Sequence, residues 1–135
     1  MFIITSSFCK IPDNANELQI ADDEIRKIKS KFHIVQQKRI IDDNIHSELF
    51  ENTVRILDYV GKLSEPLFEI GNKLESQYFK EYKESPKLAK KLWLEHYDEI
   101  THPYDLRKNR CFRILDELDE EYFKIKKKNP ANWNI

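Results

Sequence analysis

The stretch ELQIADDEIRKIKSKFHIVQQKRI, residues 17–40, decides the fold. Its apolar residues Leu18, Ala21, Ile25, Ile28, Phe32 and Val35 recur at alternating spacings of three and four, and Arg39 takes the next place in the series. That is the repeat of a helix packed along its length against another helix. The competing reading makes residues 32–41 a strand, because Phe32, Ile34, Val35, Ile40 and Ile41 crowd there. Their centre, Gln36-Gln37-Lys38-Arg39, does not alternate, so a helix is read from about Glu17 to Ile40.

On the N-terminal side, residues 1–12 are rich in Ile and Phe and read as a short extended arm. Pro12 to Asn16 is turn chemistry, with Asn14 or Asn16 placed to cap the helix. On the C-terminal side, Asp42-Asp43-Asn44 caps a second helix running to about Leu63, with Ile45, Leu49, Ile56, Val60 and Leu63 on one arc and Phe50 and Leu57 beside them. Ser64-Glu65-Pro66 reads as a restart, since Ser caps and Pro fits a first turn whose N–H groups lack partners anyway. A third helix carries Leu67, Ile70, Leu74, Tyr78 and Tyr82. Gly71 inside its stripe costs about 1 kcal/mol against Ala and so marks a close helix approach. Ser85-Pro86 restarts a fourth helix with Leu88, Leu92, His96 and Ile100, flanked by Ala89 and Trp93. His102-Pro103 restarts a fifth with Tyr104, Cys111, Ile114, Leu115, Leu118, Tyr122 and Ile125. Residues 129–135 form a non-helical tail. The expected fold is one all-α domain, an up-and-down bundle of about five helices with a short extended N-terminal arm and turn over residues 1–16.

Composition agrees. The chain has 135 residues, 40% hydrophobic and 35% charged, with eight Phe, six Tyr and two Trp. That is one domain's length, with enough apolar surface to offset chain entropy. Only two glycines occur, which disfavours Gly-dependent hairpins, a P-loop and a Rossmann fingerprint. Twenty-three Lys and Arg against twenty-four Asp and Glu leave a net charge of −1, whereas a general nucleic-acid binder carries a basic excess. Cys9 and Cys111 are far apart and form no metal or redox motif, which fits free thiols in a reducing compartment. The N-terminus lacks a basic region and breaks at Thr5-Ser6-Ser7, so no signal peptide is read, and no run is long enough to span a membrane. A cytoplasmic location is the expectation.

Catalytic constellations are weighed and set aside. Glu99-Ile-Thr-His102 has the Glu-x-x-His spacing of di-iron bundles and Asp43-Asn-Ile-His46 nearly has it. His102, however, precedes a proline, Asp43 sits in a cap, and the further carboxylates Glu51, Glu69 and Glu81 belong to polar faces. Arg26 to His33 and Arg39 to His46 have the Arg-to-His spacing of HEPN ribonucleases. The polar residue favoured after that Arg is missing, since Lys27 and Ile40 stand there, so no role is carried over. His96 lies in an apolar stripe with no nucleophile assigned to it by the sequence. No catalytic residue, metal ligand or cofactor is expected.

Two helices instead carry aromatics beside their main stripes: Phe68 and Phe79, and Phe112 and Phe123, each pair three turns apart. Asp116, Asp119 and Glu120 accompany Phe112 and Phe123. An aromatic anchor among acids suits a basic protein partner, and a second buried side of the helix is the alternative. Arg107 and Arg110 lie near the start of the expected fifth helix, against its dipole. They call for acidic partners within the fold or for an anion or partner outside it, with internal partners favoured. The expected function is non-enzymatic protein binding, in the manner of a small inhibitor such as a toxin-neutralising immunity protein or antitoxin, or of a phage-type adaptor. Lys80, Lys83, Lys87, Lys90 and Lys91 support nucleic-acid binding as the alternative, with Glu81 and Glu84 interleaved against it. A small helical enzyme, metal-dependent or HEPN-like, stands third.

Overall fold

A computed structural model describes residues 11–128, so the expected arm over residues 1–10 and the tail over 129–135 lie outside the described residues. Three helices account for about 90% of the described residues, and none of these is in a strand. They are α1 (Ala15–Lys38), α2 (Asp43–Glu81) and α3 (Pro86–Lys128).

The expected helix forms, but it ends at Lys38 and not at Ile40. Leu18, Ala21, Ile25, Ile28, Phe32 and Val35 are all buried. The helix begins at Ala15, two residues earlier than read, so the turn ends at Asn14 and not at Asn16. Asn14 does not cap with its side chain. Its Nδ2 donates to the Tyr104 hydroxyl at 2.9 Å, tying the start of α1 to the middle of α3. The strand reading of 32–41 fails because α1 continues to Lys38 and closes in a left-handed cap at Arg39, φ 55°, where the Arg39 and Ile40 N–H groups donate back to Gln36 and Val35. Ile41 is then buried under the turn. Asp42 caps α2, its Oδ1 accepting from the Ile45 N–H at 2.8 Å.

Five helices become three because two of the restart signals lie inside continuous helices. Pro66 is within α2 and Pro103 within α3. A proline inside a helix removes one hydrogen bond and crowds the preceding turn, a cost of about 3 kcal/mol. What carries the helix through is the apolar seam. Thr53, Val60, Leu67 and Leu74 follow one another at seven-residue intervals and are all buried, as are Tyr104, Cys111 and Leu118 at the same interval in α3. A break at 64 or 102 would throw the two halves of each seam out of phase. Ser64, read as a cap, instead donates to the Gly61 carbonyl at 2.8 Å. Pro66 is exposed on the outer side, where water can satisfy the carbonyl its ring leaves unbonded. Only Ser85-Pro86 is a true restart, at the hairpin joining α2 to α3.

The helices run alternately up and down, but their lengths differ. At 1.5 Å per residue α2 and α3 are about 58 and 64 Å long and α1 only about 36 Å. α1 covers the half of the hairpin between Tyr104 and the C-terminal end of α3. Beyond Tyr104 the hairpin continues as two helices. There Gly71 sits against the Tyr97 ring, Trp93 Nε1 donates to the Gly71 carbonyl at 2.9 Å, and the Tyr78 hydroxyl meets His96 Nδ1 at 2.9 Å.

Candidate interaction surface

α1 occupies one flank of the hairpin. It meets α2 through the Lys31–Glu48 ion pair and a groove of about 480 Å³ whose walls include Asn52, Arg55 and Tyr59. It meets α3 through Asp22. At 100° per residue, Glu48, Asn52, Arg55 and Tyr59 lie roughly 140–200° round α2 from Phe50. Phe50, Leu57, Gly61 and Phe68 share an arc of about 40° on the opposite flank. α3 contributes Leu94, Thr101, Lys108 and Leu115 at intervals of seven, with Asp105, Phe112 and Asp119 beside them. This flank, the one α1 leaves uncovered, holds most of the large exposed aromatics: Phe68 is 72% exposed, Phe112 50% and Phe123 54%.

The acids sit around these rings in different states. Asp116 and Glu120 are exposed and Asp119 is half-buried. Asp119 Oδ1 is 2.7 Å from His46 Nε2. His46 lies by the Tyr122 ring at 4.3 Å between centroids, and Phe50 also stacks with it at 5.7 Å. The Tyr122 hydroxyl donates to Asp43, which Lys126 also reaches at 3.2 Å. These two contacts hold the Asp43 carboxyl below its ordinary range, the hydroxyl contributing most. Glu120 pairs with Lys124 at 3.8 Å. Asp116 has no ion-pair or hydrogen-bond partner among the described residues.

Arg107 and Arg110 are placed elsewhere. Arg107 forms a two-pronged pair with Asp22, at 3.0 and 2.8 Å, and donates to the Pro103 carbonyl at 2.7 Å. Both side chains of that pair are less than one-fifth exposed. Arg110 reaches the same carboxylate at 3.4 Å. The two arginines thus bolt α1 to α3. Because α3 starts at Pro86, they lie mid-helix, where the dipole argument about a fifth helix start does not apply.

The other residues singled out from the sequence do not converge. Glu99 and His102 are both exposed, and among the described residues no three side chains come together in a way that would hold a metal ion. His96 is paired with Tyr78, whose hydroxyl is raised above its usual pKa mainly by burial. Cys111 is fully buried, and burial pushes its thiol up to about 11. No helix among the described residues is long and apolar enough to cross a membrane. The groove between α1 and α2 is floored by Ala21, Ile28, Leu49 and Ile56, and two of its rim lysines, Lys27 and Lys31, are held by Glu24 and Glu48.

Sequence reading missed two parts of this flank. One is Phe68, noted as a paired aromatic but not assigned to the surface. The other is the concavity beside it, about 410 Å³, bounded by Gly61, Ser64, Phe68, Tyr97, Thr101 and Lys108 among others. The available signal was a second seven-residue recurrence, Val54, Gly61, Phe68 and Glu75, running beside the buried seam. Compared with protein-family models, with curated proteins and with solved structures, the chain matches none.

Proposed function

We propose that the chain is a non-enzymatic protein-binding domain whose partner docks on the flank of α2 and α3 that faces away from α1. The observation that supports it is the alignment of half-exposed Phe112 and Phe123 with Asp116 and Asp119 on one side of α3. Large rings left in water mark interaction surfaces, and anchors of this kind carry most of an interface's energy once buried. The acids around them steer a basic partner and exclude an acidic one. A small inhibitor or adaptor acting by occlusion needs such a surface and no reacting groups.

The test compares wild-type chain with Phe112→Ala and Phe123→Ala as baits in affinity capture from the native cell, with mass spectrometry. Loss of captured protein with both variants supports the reading. The binding loss expected for each anchor is about 1–3 kcal/mol. A thermal melt of Phe112→Ala checks the premise. A half-exposed ring costs under about 1 kcal/mol of folding stability, whereas a core ring costs about 3–5, and a drop of the latter size refutes the surface assignment.

A further inference from the structure

We infer that the basic surface docking on this flank is the opposite end of a second copy of the chain, in a two-fold dimer that lays α3 antiparallel on α3 and α2 antiparallel on α2. The inference rests on the protein-binding reading above and names its partner.

Charge on α3 supplies the first argument. Its first turn holds no acid, yet Lys87, Lys90 and Lys91 stand in its first two turns, unfavourable to the helix dipole. None of the three has a carboxylate partner among the described residues. Some forty ångströms along, at 1.5 Å per residue, Asp116 and Asp119 project from the uncovered flank. A two-fold axis level with Tyr104 and Asp105 sets Lys91 against Asp116 and Asp119 of the second copy. The same axis sets Leu94 against Leu115 and Thr101 against Lys108, all on the uncovered flank. By symmetry each contact occurs twice.

Shape on α2 agrees with the same axis. The level of Tyr104 on α2 is fixed by the contacts across the hairpin: Lys108 Nζ donates to Ser64 Oγ at 2.9 Å, and Gly71 lies against Tyr97. The axis therefore passes beside Ser64 and Glu65, midway between Gly61 and Phe68. It carries Phe68 of one protomer over Gly61 of the other. Phe68 is the most exposed large apolar side chain of the described residues. Gly61 has open space where a Cβ would stand, and it lines the concavity of about 410 Å³ at this level. Phe68 is thus the knob and Gly61 opens the hole, and each protomer offers both. The axis also brings Phe50 opposite Phe79. Two helices spaced 8–10 Å apart over some 58 Å offer about 1,000 Å² per protomer, above the roughly 800 Å² per partner of a standard interface.

The test is sedimentation equilibrium on the full chain, whose protomer mass is 16.3 kDa. The expected result for wild type is a dimer that weakens as salt rises. Gly61→Arg puts a long side chain into the hole from a position where a Cβ meets nothing within 4 Å, and Phe68→Asp removes the knob. Each is expected to lower dimer affinity at least about tenfold with helix content unchanged by circular dichroism. Charge reversal then reads the register. Lys87→Glu with Lys91→Glu, and Asp116→Lys with Asp119→Lys, each make like charges face in their own dimer and are expected to be monomeric. Mixed in equal amounts, the two variants complement at both contacts and are expected to form a heterodimer. A wild-type chain that stays monomeric at about 100 µM, or a dimer indifferent to Gly61→Arg and Phe68→Asp, overturns the inference. So does failure of the two charge-reversed chains to pair, with each shown folded by its melt. A monomeric wild type whose capture of another protein still depends on Phe112 overturns the dimer and leaves the protein-binding reading standing.

Discussion

Replacing Gly71 by Ala tests how tightly the far half of the hairpin is closed. In an isolated helix the change gains about 1 kcal/mol. Here the new Cβ would stand 2.4 Å from Tyr97 Cε1, 2.8 Å from Cδ1 and 3.0 Å from Cζ, too close for any of the three to stay. The ring cannot simply swing away, because it stacks on Trp93 at 6.4 Å and the Trp93 indole is itself bonded to the Gly71 carbonyl. Overpacking of this kind costs about 1–3 kcal/mol. Set against the helix gain, the net expectation is a destabilisation of about 1 kcal/mol, a fall in Tm of about 3–5 °C for a domain of this size. The decisive measurement is the same substitution in a Tyr97→Ala background. With the ring gone only the propensity gain remains, so Gly71→Ala raises Tm there. The coupling between the two positions, read from urea melts of all four chains, is about 2 kcal/mol. If Gly71→Ala stabilises both backgrounds equally, Tyr97 does not press on α2 and the close approach is refuted.

Other consequences are open to equally direct measurement. Pro66→Ala restores an α2 hydrogen bond and relieves crowding, so it is expected to stabilise the chain by about 1–3 kcal/mol; a neutral or unfavourable effect would mean that Pro66 begins a separate helix. Asp22→Ala leaves Arg107 with only the Pro103 carbonyl and is expected to cost about 2 kcal/mol in urea melts, somewhat below the loss for a fully buried pair. Asp43, whose pKa is depressed in the fold, contributes stability that is present above its unfolded pKa of about 3.8 and disappears as pH falls through the folded value. Melts from about pH 7 down to pH 2 should therefore show the deficit of Asp43→Asn shrinking toward acid, and a deficit that grows would reverse the assignment.

The fold was legible wherever one period governed a whole segment. Leu18 to Val35 announced α1, and every residue of that stripe is buried. The cap at Asp42 and the restart at Ser85-Pro86 were legible because local hydrogen-bond chemistry and chain direction agree there. Pro66 and Pro103 misled because a proline signal is local, whereas the force that holds those helices together is spread along the seam. Val60, Leu67 and Leu74 keep phase across Pro66, and that continuity outweighs one missing N–H. The extended side of the turn was misjudged by two residues because Asn14 spends its amide on Tyr104, ninety positions away, which no local pattern records. The surface was legible in part. The spacing of Phe112 and Phe123 places them on one face, but only the third helix decides which flank of a two-helix hairpin is left bare. Arg107 shows the converse. Its place in the α3 seam, seven residues before Ile114, looks like an error in the apolar pattern until Asp22 arrives from α1.

The short length of α1 leaves half of the hairpin as two helices, and its position on one side leaves the other flank bare. Where α1 is present, aliphatic side chains such as Ile28, Leu49, Ile56 and Ile114 are buried between three helices. Beyond Tyr104 only two helices remain, and aromatic side chains such as Trp93 pack at the edge of the buried Leu67 and Leu74. Wide rings with polar edges suit that geometry, since they cover apolar surface and still reach a hydrogen-bond partner at the boundary. Trp93, Tyr78 and His96 do this, and Gly71 lets α2 come close to the Tyr97 ring. The same lack of a covering element applies on the flank away from α1 along the full hairpin, but there the residues are Phe50, Phe68, Phe112 and Phe123, rings with no polar edge to satisfy at the water boundary. Tyrosine in those places would serve a surface meant to stay wet. Phenylalanine beside unpaired Asp116, with Gly61 holding space open at mid-length, is the composition on which the proposed docking of another chain rests.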